Sequence, residues 1–198
     1  MKRVLFLSTH LGSGHEYLSQ VLKSHTKIQE FTNTGCFSHP DVLMNLMHLP
    51  HKDNTSTAIY MTTLLKNESF NCDKLCEVCK FVYLIRPPKY TLNAILHAKL
   101  HNDPQHALNY YMFRLRRLSQ MAKMTPGAVF LTYDDLVRGD EKPLIEEYLN
   151  LKTALEPCLL PFEDLEDIVH TSIVEKGQEI YEKYLRYMKS LPLHFPDL

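Results

Sequence analysis

A short apolar run that breaks into glycine and then into a helical pattern constrains this chain more than any other stretch. Residues 4–18 read Val-Leu-Phe-Leu-Ser-Thr-His-Leu-Gly-Ser-Gly-His-Glu-Tyr-Leu. Residues 4–7 have the pattern of a buried strand. Gly12-Ser13-Gly14 turns the chain, and from His15 the apolar positions Leu18, Val21 and Leu22 recur at helical spacing. Amides at a helix N-terminus have no partner inside the helix, and the helix dipole adds partial positive charge there. Such a joint favours an anion, phosphate first. It is not a nucleotide triphosphatase loop, because no Lys-Ser/Thr pair follows the glycines. It is not a dinucleotide loop either, because Tyr17 stands where a third glycine would be needed.

A second block begins at Phe81-Val82-Tyr83-Leu84-Ile85 and continues Arg86-Pro87-Pro88-Lys89-Tyr90. Five apolar residues make a buried strand, expected to run parallel to the first. Arg86 emerges at its C-terminal end, where open α/β sheets bind their ligands. Its guanidinium is a fixed fork of donors suited to phosphate. A third block, Ala128-Val129-Phe130-Leu131-Thr132-Tyr133-Asp134-Asp135-Leu136-Val137, is a strand running into a helix start. Asp134 and Asp135 are suited to capping that helix.

Together the three blocks resemble the superfamily of sulfotransferases that use 3′-phosphoadenosine 5′-phosphosulfate. Ser13-Gly14-His15-Glu16-Tyr17 is similar to that family's 5′-phosphosulfate loop, Ser-Gly-x-x-aromatic after a strand. Arg86-Pro87-Pro88-Lys89 is similar to its 3′-phosphate motif, and Tyr133-Asp134-Asp135-Leu136 to its late Tyr-Glu/Asp-Asp-Leu. The resemblance implies a P-loop-like α/β fold with a small central parallel sheet flanked by helices. It implies that Gly12, Ser13, Gly14, His15, Glu16, Tyr17, Arg86 and Asn93 bind the nucleotide. The reaction implied is sulfuryl transfer to a hydroxyl or amine of a small polar or glycan acceptor. Adenosine 3′,5′-bisphosphate would be the product, and no metal would be required.

His48-Leu49-Pro50 is similar to the His-Leu-Pro in which cytosolic members carry their base. His48, His51 and Lys52 are therefore the expected catalytic residues, with Lys52 standing in for a cation the loop lacks. Two positions depart from the family. Gly12 stands where a Lys or Arg usually precedes Ser-Gly, and Ala94 where a Ser usually follows the 3′-phosphate Arg, with Asn93 beside it. The first departure keeps open a nucleotide-binding protein of the same fold without transfer activity. A P-loop kinase of small metabolites is a further alternative, opposed by the absence of a loop Lys.

At 198 residues the chain is expected to be a single domain. Its net charge of -1 gives no sign of general affinity for nucleic acid or membranes. Lys2 and Arg3 precede too short an apolar run for a signal peptide, and no run approaches a membrane span. A cytoplasmic location is expected, which also suits the five cysteines. Cys72, Cys76 and Cys79 have the spacing of an iron–sulfur motif, but they also fit one face of a helix and are read as packing residues.

The expected elements are strands at 3–8, 81–85 and 128–132. Helices are expected at 14–25, 57–66, 72–79, 89–101, 104–124, 141–150 and 164–190. Residues 26–57 read as loop with one short helix covering the cleft, and 156–163 as loop. In the helix at 104–124 the apolar stripe is Ala107, Tyr111, Leu115, Leu118 and Ala122. Arg114, Arg116 and Arg117 could supply extra phosphate contacts, but they are read first as a solvated face. In the last helix the buried side is read as Ile173, Ile180, Tyr184, Tyr187 and Leu191. Strands alternating with helices predict a parallel sheet with few strands.

Overall fold

The computed structural model describes residues 3–10, 12–23, 28–31, 57–62, 79–151, 154–155 and 167–196. Five strands form one sheet: β1 (Arg3–Ser8), β2 (Ile28–Phe31), β3 (Thr57–Thr62), β4 (Cys79–Ile85) and β5 (Val129–Thr132). Their order is β2-β3-β1-β4-β5, and every pairing is parallel. The described helices are α1 (His15–Lys23), α2 (Pro88–His97), α3 (Pro104–Met124), α4 (Tyr133–Arg138), α5 (Glu141–Leu149) and α6 (Thr171–Lys189).

The alternation of strand side chains divides the core into two layers. Phe81, Tyr83 and Ile85 face α2, α3 and α6, together with Phe130. Val82 and Leu84, with Leu5 and Leu7, face α1, α4 and α5. Strand β1 thus feeds a helix on one face, and β4 feeds helices on the other. Two adjacent parallel strands whose connections leave in opposite directions open a crevice beyond their C-terminal ends. That crevice lies between Ser8 and Ile85, where the glycine turn and Arg86 were read from the sequence.

The parallel α/β class, the first strand and the helix at 104–124 match the sequence reading. Pro104 opens that helix, and the Asp103 side chain caps it by accepting from the His106 amide. Other expectations are corrected. Residues 57–62 are strand, not the start of a helix at 57–66. Ala58, Ile59, Tyr60 and Met61 form a short apolar run that periodicity cannot assign, and pairing between β1 and β2 settles it. Residues 28–31 lie in a stretch read as loop, but they add an edge strand on β3. The sheet is accordingly larger than the three strands expected. Cys79 opens β4 opposite Val4 rather than ending a helix.

The last helix starts at Thr171, later than expected, with the His170 ring accepting from the Ser172 amide as its cap. Its most buried residues are Gly177, Tyr181 and Met188, while Tyr187 is exposed. A Cβ on Gly177 would lie 2.8 Å from that of Pro88, so α6 and α2 cross at close contact. The tail beyond α6 lies along β5, where the Phe130 amide donates to the His194 carbonyl and the His194 amide donates to the Ala128 carbonyl, both at 2.9 Å. Among the described residues no helix is long and apolar enough to cross a membrane.

Candidate functional site

The turn after β1 is built on two left-handed glycines. Gly12 has φ 70° and Gly14 φ 89°, a region that L side chains seldom adopt. The Ser13 amide donates to the His10 carbonyl at 3.2 Å, closing the turn, and Ser13 is buried. The Leu18 amide donates to the Gly14 carbonyl at 3.3 Å, which sets the first turn of α1. The amides of residues 15–17 therefore point out of the helix end, toward the crevice. A Cβ on Gly14 would fall 2.8 Å from the Tyr133 ring, so the third block closes over the loop from above.

Arg86 ties the blocks together. Its Nη1 donates to the Gly12 carbonyl at 3.1 Å. Its guanidinium carbon lies 3.9 Å from the Tyr133 ring centroid and 5.1 Å from that of Tyr90. Its backbone is held as firmly. The amide donates to His10 Nε2 at 3.0 Å, and the carbonyl accepts from the Tyr111 hydroxyl at 2.7 Å. Burial, and then Tyr181, push the Tyr111 hydroxyl well above its ordinary pKa, so it remains a donor. The bond to His10 makes Nε2 an acceptor, so this fully buried ring is neutral and carries its proton on Nδ1. It packs edge-on against Tyr111, with centroids 5.2 Å apart.

The two departures noted in the sequence are one contact. A Cβ on Gly12 would sit 3.0 Å from the Ala94 Cβ and 3.4 Å from the Thr91 carbonyl oxygen. A small residue on α2 and a glycine in the loop let the two backbones approach. A side chain at Gly12 would strain a left-handed backbone and require its neighbours on α2 to give by a few tenths of an ångström.

Asn93, expected to bind the nucleotide, is committed elsewhere. Its Nδ2 donates to the Lys89 carbonyl and to Asp167 Oδ1, both at 3.0 Å. Its Oδ1 accepts from the amides of Ile168 at 3.0 Å and Val169 at 3.2 Å. That fills its hydrogen-bonding capacity, so Asn93 fastens the segment before α6 to α2. Glu16 and Tyr17 also turn their side chains away. Glu16 is exposed and meets His15 Nε2 at 3.1 Å, while Tyr17 is core. Their amides, not their side chains, face the crevice. The His15 ring is 3.5 Å from Ser13 Oγ, and burial lowers its pKa against the raising effect of Glu16.

Arg114 departs furthest from expectation. It is 1% exposed, whereas Arg116 is exposed. Its Nη2 donates to the Thr9 carbonyl at 2.5 Å, while Nε and Nη1 are buried without a hydrogen-bond partner. Burial lowers its pKa, and the neighbouring Tyr110 raises it. Spacing sets Arg114 three residues after Tyr111 but does not show that this turn of α3 faces the end of β1, which the bond to Thr9 does. Asp135, in contrast, caps α4 as read. Its Oδ2 accepts from the Thr132 amide at 2.6 Å.

His48, His51 and Lys52 lie outside the described residues, as do Cys72 and Cys76. Among the described residues no group of three or more His, Cys, Asp or Glu is placed to hold a metal ion.

No protein-family model matches the chain, and no curated protein matches it in sequence. Its fold is that of sulfotransferases. It is similar to a sulfotransferase from Alicyclobacillus acidocaldarius at 10% identity and a TM-score of 0.61, covering 97% of this chain and 96% of the other. It is similar to mouse sulfotransferase SULT7A1 complexed with PAP at 14% identity and a TM-score of 0.62, covering 97% and 90%. It is also similar to the sulfotransferase domain of a Synechococcus olefin synthase at 15% identity and a TM-score of 0.55, covering 96% and 94%.

Proposed function

We infer that the crevice binds 3′-phosphoadenosine 5′-phosphosulfate and that the protein is a cytoplasmic sulfotransferase acting on a small polar acceptor. The observation that carries this reading is Arg86, which joins the loop carbonyl of Gly12 to the Tyr133 ring at the end of β4. The residues present fit the group. A loop with no room for a Cβ at Gly14 lets backbone amides approach a phosphate, and a fixed guanidinium stands beside it. The mouse neighbour's PAP complex supports the same ligand class.

When bound, the nucleotide supplies an activated sulfuryl group whose leaving group is adenosine 3′,5′-bisphosphate. In this reading the amides at the start of α1 hold the 5′-phosphate, and Arg86 holds the 3′-phosphate. His48 or His51 takes the acceptor's proton, and Lys52 faces the charge that develops on the leaving phosphate. Arg86→Ala is expected to weaken adenosine 3′,5′-bisphosphate by at least about tenfold, the loss of one charge-assisted contact. Adenosine 5′-phosphate, which lacks the 3′ group, should change little. Isothermal calorimetry with both ligands decides, and equal loss for the two would assign Arg86 to structure alone.

A second reading is nucleotide binding without transfer. It is favoured by Gly12, whose left-handed backbone and tight contact with Ala94 disfavour a loop cation. Sulfate transfer from labelled donor to any hydroxyl or amine in a broad acceptor panel would exclude it. Tight nucleotide binding with no transfer to any acceptor would establish it.

A further inference from the structure

We propose that Arg114 is the cation of the loop's oxyanion site, supplied by α3 instead of by the loop. It would bind, with the Thr9 hydroxyl, the sulfate or phosphate group that the amides at the start of α1 receive. This deepens the nucleotide reading and rests on it for the identity of the natural ligand.

Three observations converge on Arg114. Its guanidinium is 1% exposed, yet only Nη2 has a hydrogen-bond partner. No described residue forms an ion pair with it. The Thr9 hydroxyl beside it is also buried without a partner. Thr9 thus receives Arg114 through its carbonyl and leaves its side chain unspent one residue before His10 enters the turn. The third observation is steric, since the loop's own cation position is a left-handed glycine packed on Ala94.

An unneutralised buried charge is costly, and a well-packed apolar residue is often the more stable choice. If holding the Thr9 carbonyl were Arg114's whole task, a neutral donor would do it without that cost. The unspent groups match a tetrahedral oxyanion. Arg offers its Nε–H and Nη1–H donors with a full positive charge, Thr offers a hydroxyl, and the helix end offers amides and a favourable dipole. The two arginines would then bracket the loop, Arg114 on the Thr9 carbonyl at its entrance and Arg86 on the Gly12 carbonyl at its turn.

The test compares the wild type with Arg114→Gln, which keeps a donor for the Thr9 carbonyl and removes the charge. Each is melted in sodium sulfate against sodium chloride at matched ionic strength, and each is titrated with adenosine 3′,5′-bisphosphate. Wild type is expected to gain about 4 °C at ten times the sulfate dissociation constant. Arg114→Gln should lose sulfate affinity by at least about tenfold while folding normally. Arg114→Met should melt at or above wild type in chloride and ignore sulfate. If Arg114→Gln fails to fold, Arg114→Met carries the same comparison.

A sulfate response unchanged by either substitution would overturn the proposal, and so would a wild type indifferent to sulfate. Sulfate binding that needs Arg114, in a protein that ignores adenosine 3′,5′-bisphosphate, would sink the nucleotide reading and keep this one. Nucleotide binding with an Arg114-independent sulfate response would do the reverse.

Discussion

Gly14 and Gly12 show how differently one residue type can be read. At Gly14 the requirement is steric and conformational together, because φ is 89° and a Cβ would press into the Tyr133 ring at 2.8 Å. Gly14→Ala is expected to cost roughly 1–3 kcal/mol of stability and to abolish binding of adenosine 3′,5′-bisphosphate. In a Tyr133→Ala background the steric part should vanish and only the backbone strain remain. Urea melts of the four proteins would show it as a double-mutant coupling, and strict additivity would mean that the ring yields freely. The need for Gly14 was legible in the sequence, because a strand running into a helix through Gly-Ser-Gly has few other geometries. The reason for Gly12 was not. It read as a missing cation, and its cause is Ala94, 82 positions away along the chain. Arg114 was likewise misread, since sequence spacing cannot tell a solvated arginine stripe from one turn that faces a strand end.

Among the elements, α2 does most to organise the crevice. Its start is fixed by Pro88 at the first helical positions, next to Arg86. One face carries Ala94 against the loop, while Asn93 holds the segment leading to α6. Asn93→Ala should strand the Val169 amide, which belongs to a buried residue, and remove the tie to Asp167. A loss of roughly 2 kcal/mol in stability is expected. Adenosine 3′,5′-bisphosphate affinity should stay within about threefold of wild type, since a shift under about 0.7 kcal/mol is less than half a typical charge-assisted bond. A large loss of affinity with unchanged stability would return Asn93 to the ligand site. The α2 pattern in the sequence announced a helix and its Pro start. Which of its polar residues faces ligand and which faces protein depended on where α6 and its leading segment arrived.

At the scale of the whole molecule, one buried acid is expected to set a pH dependence of folding. Glu141, the first residue of α5, is 0% exposed, and neither carboxylate oxygen has a hydrogen-bond partner. Burial pushes its pKa up to about 7, helped by Asp140 and Asp135 and opposed by its own amide and Lys142. A carboxyl whose folded pKa exceeds its unfolded value of about 4.3 holds its proton more tightly when folded. Its stabilising contribution is full below the unfolded value and is lost as pH rises through 7. The advantage of Glu141→Gln over wild type should therefore widen from about pH 5 to about pH 8 in urea unfolding. A gap that is constant across that range would show that Glu141 is neutralised by other means.

The sequence by itself determined the parallel α/β class, the loop, the strand ending in Arg86, the long α3 with its Pro104 start and the capping role of Asp135. Each of these is written in local spacing, glycine and proline chemistry, or a run of apolar residues. Tertiary structure decided the rest. Residues 28–31 and 57–62 become strands because neighbouring backbones pair with them, which no local pattern of so few residues specifies. Asn93 turns inward, Glu16 turns outward, and Arg114 is buried against Thr9, because burial and partner are properties of the assembled layers and not of any single segment.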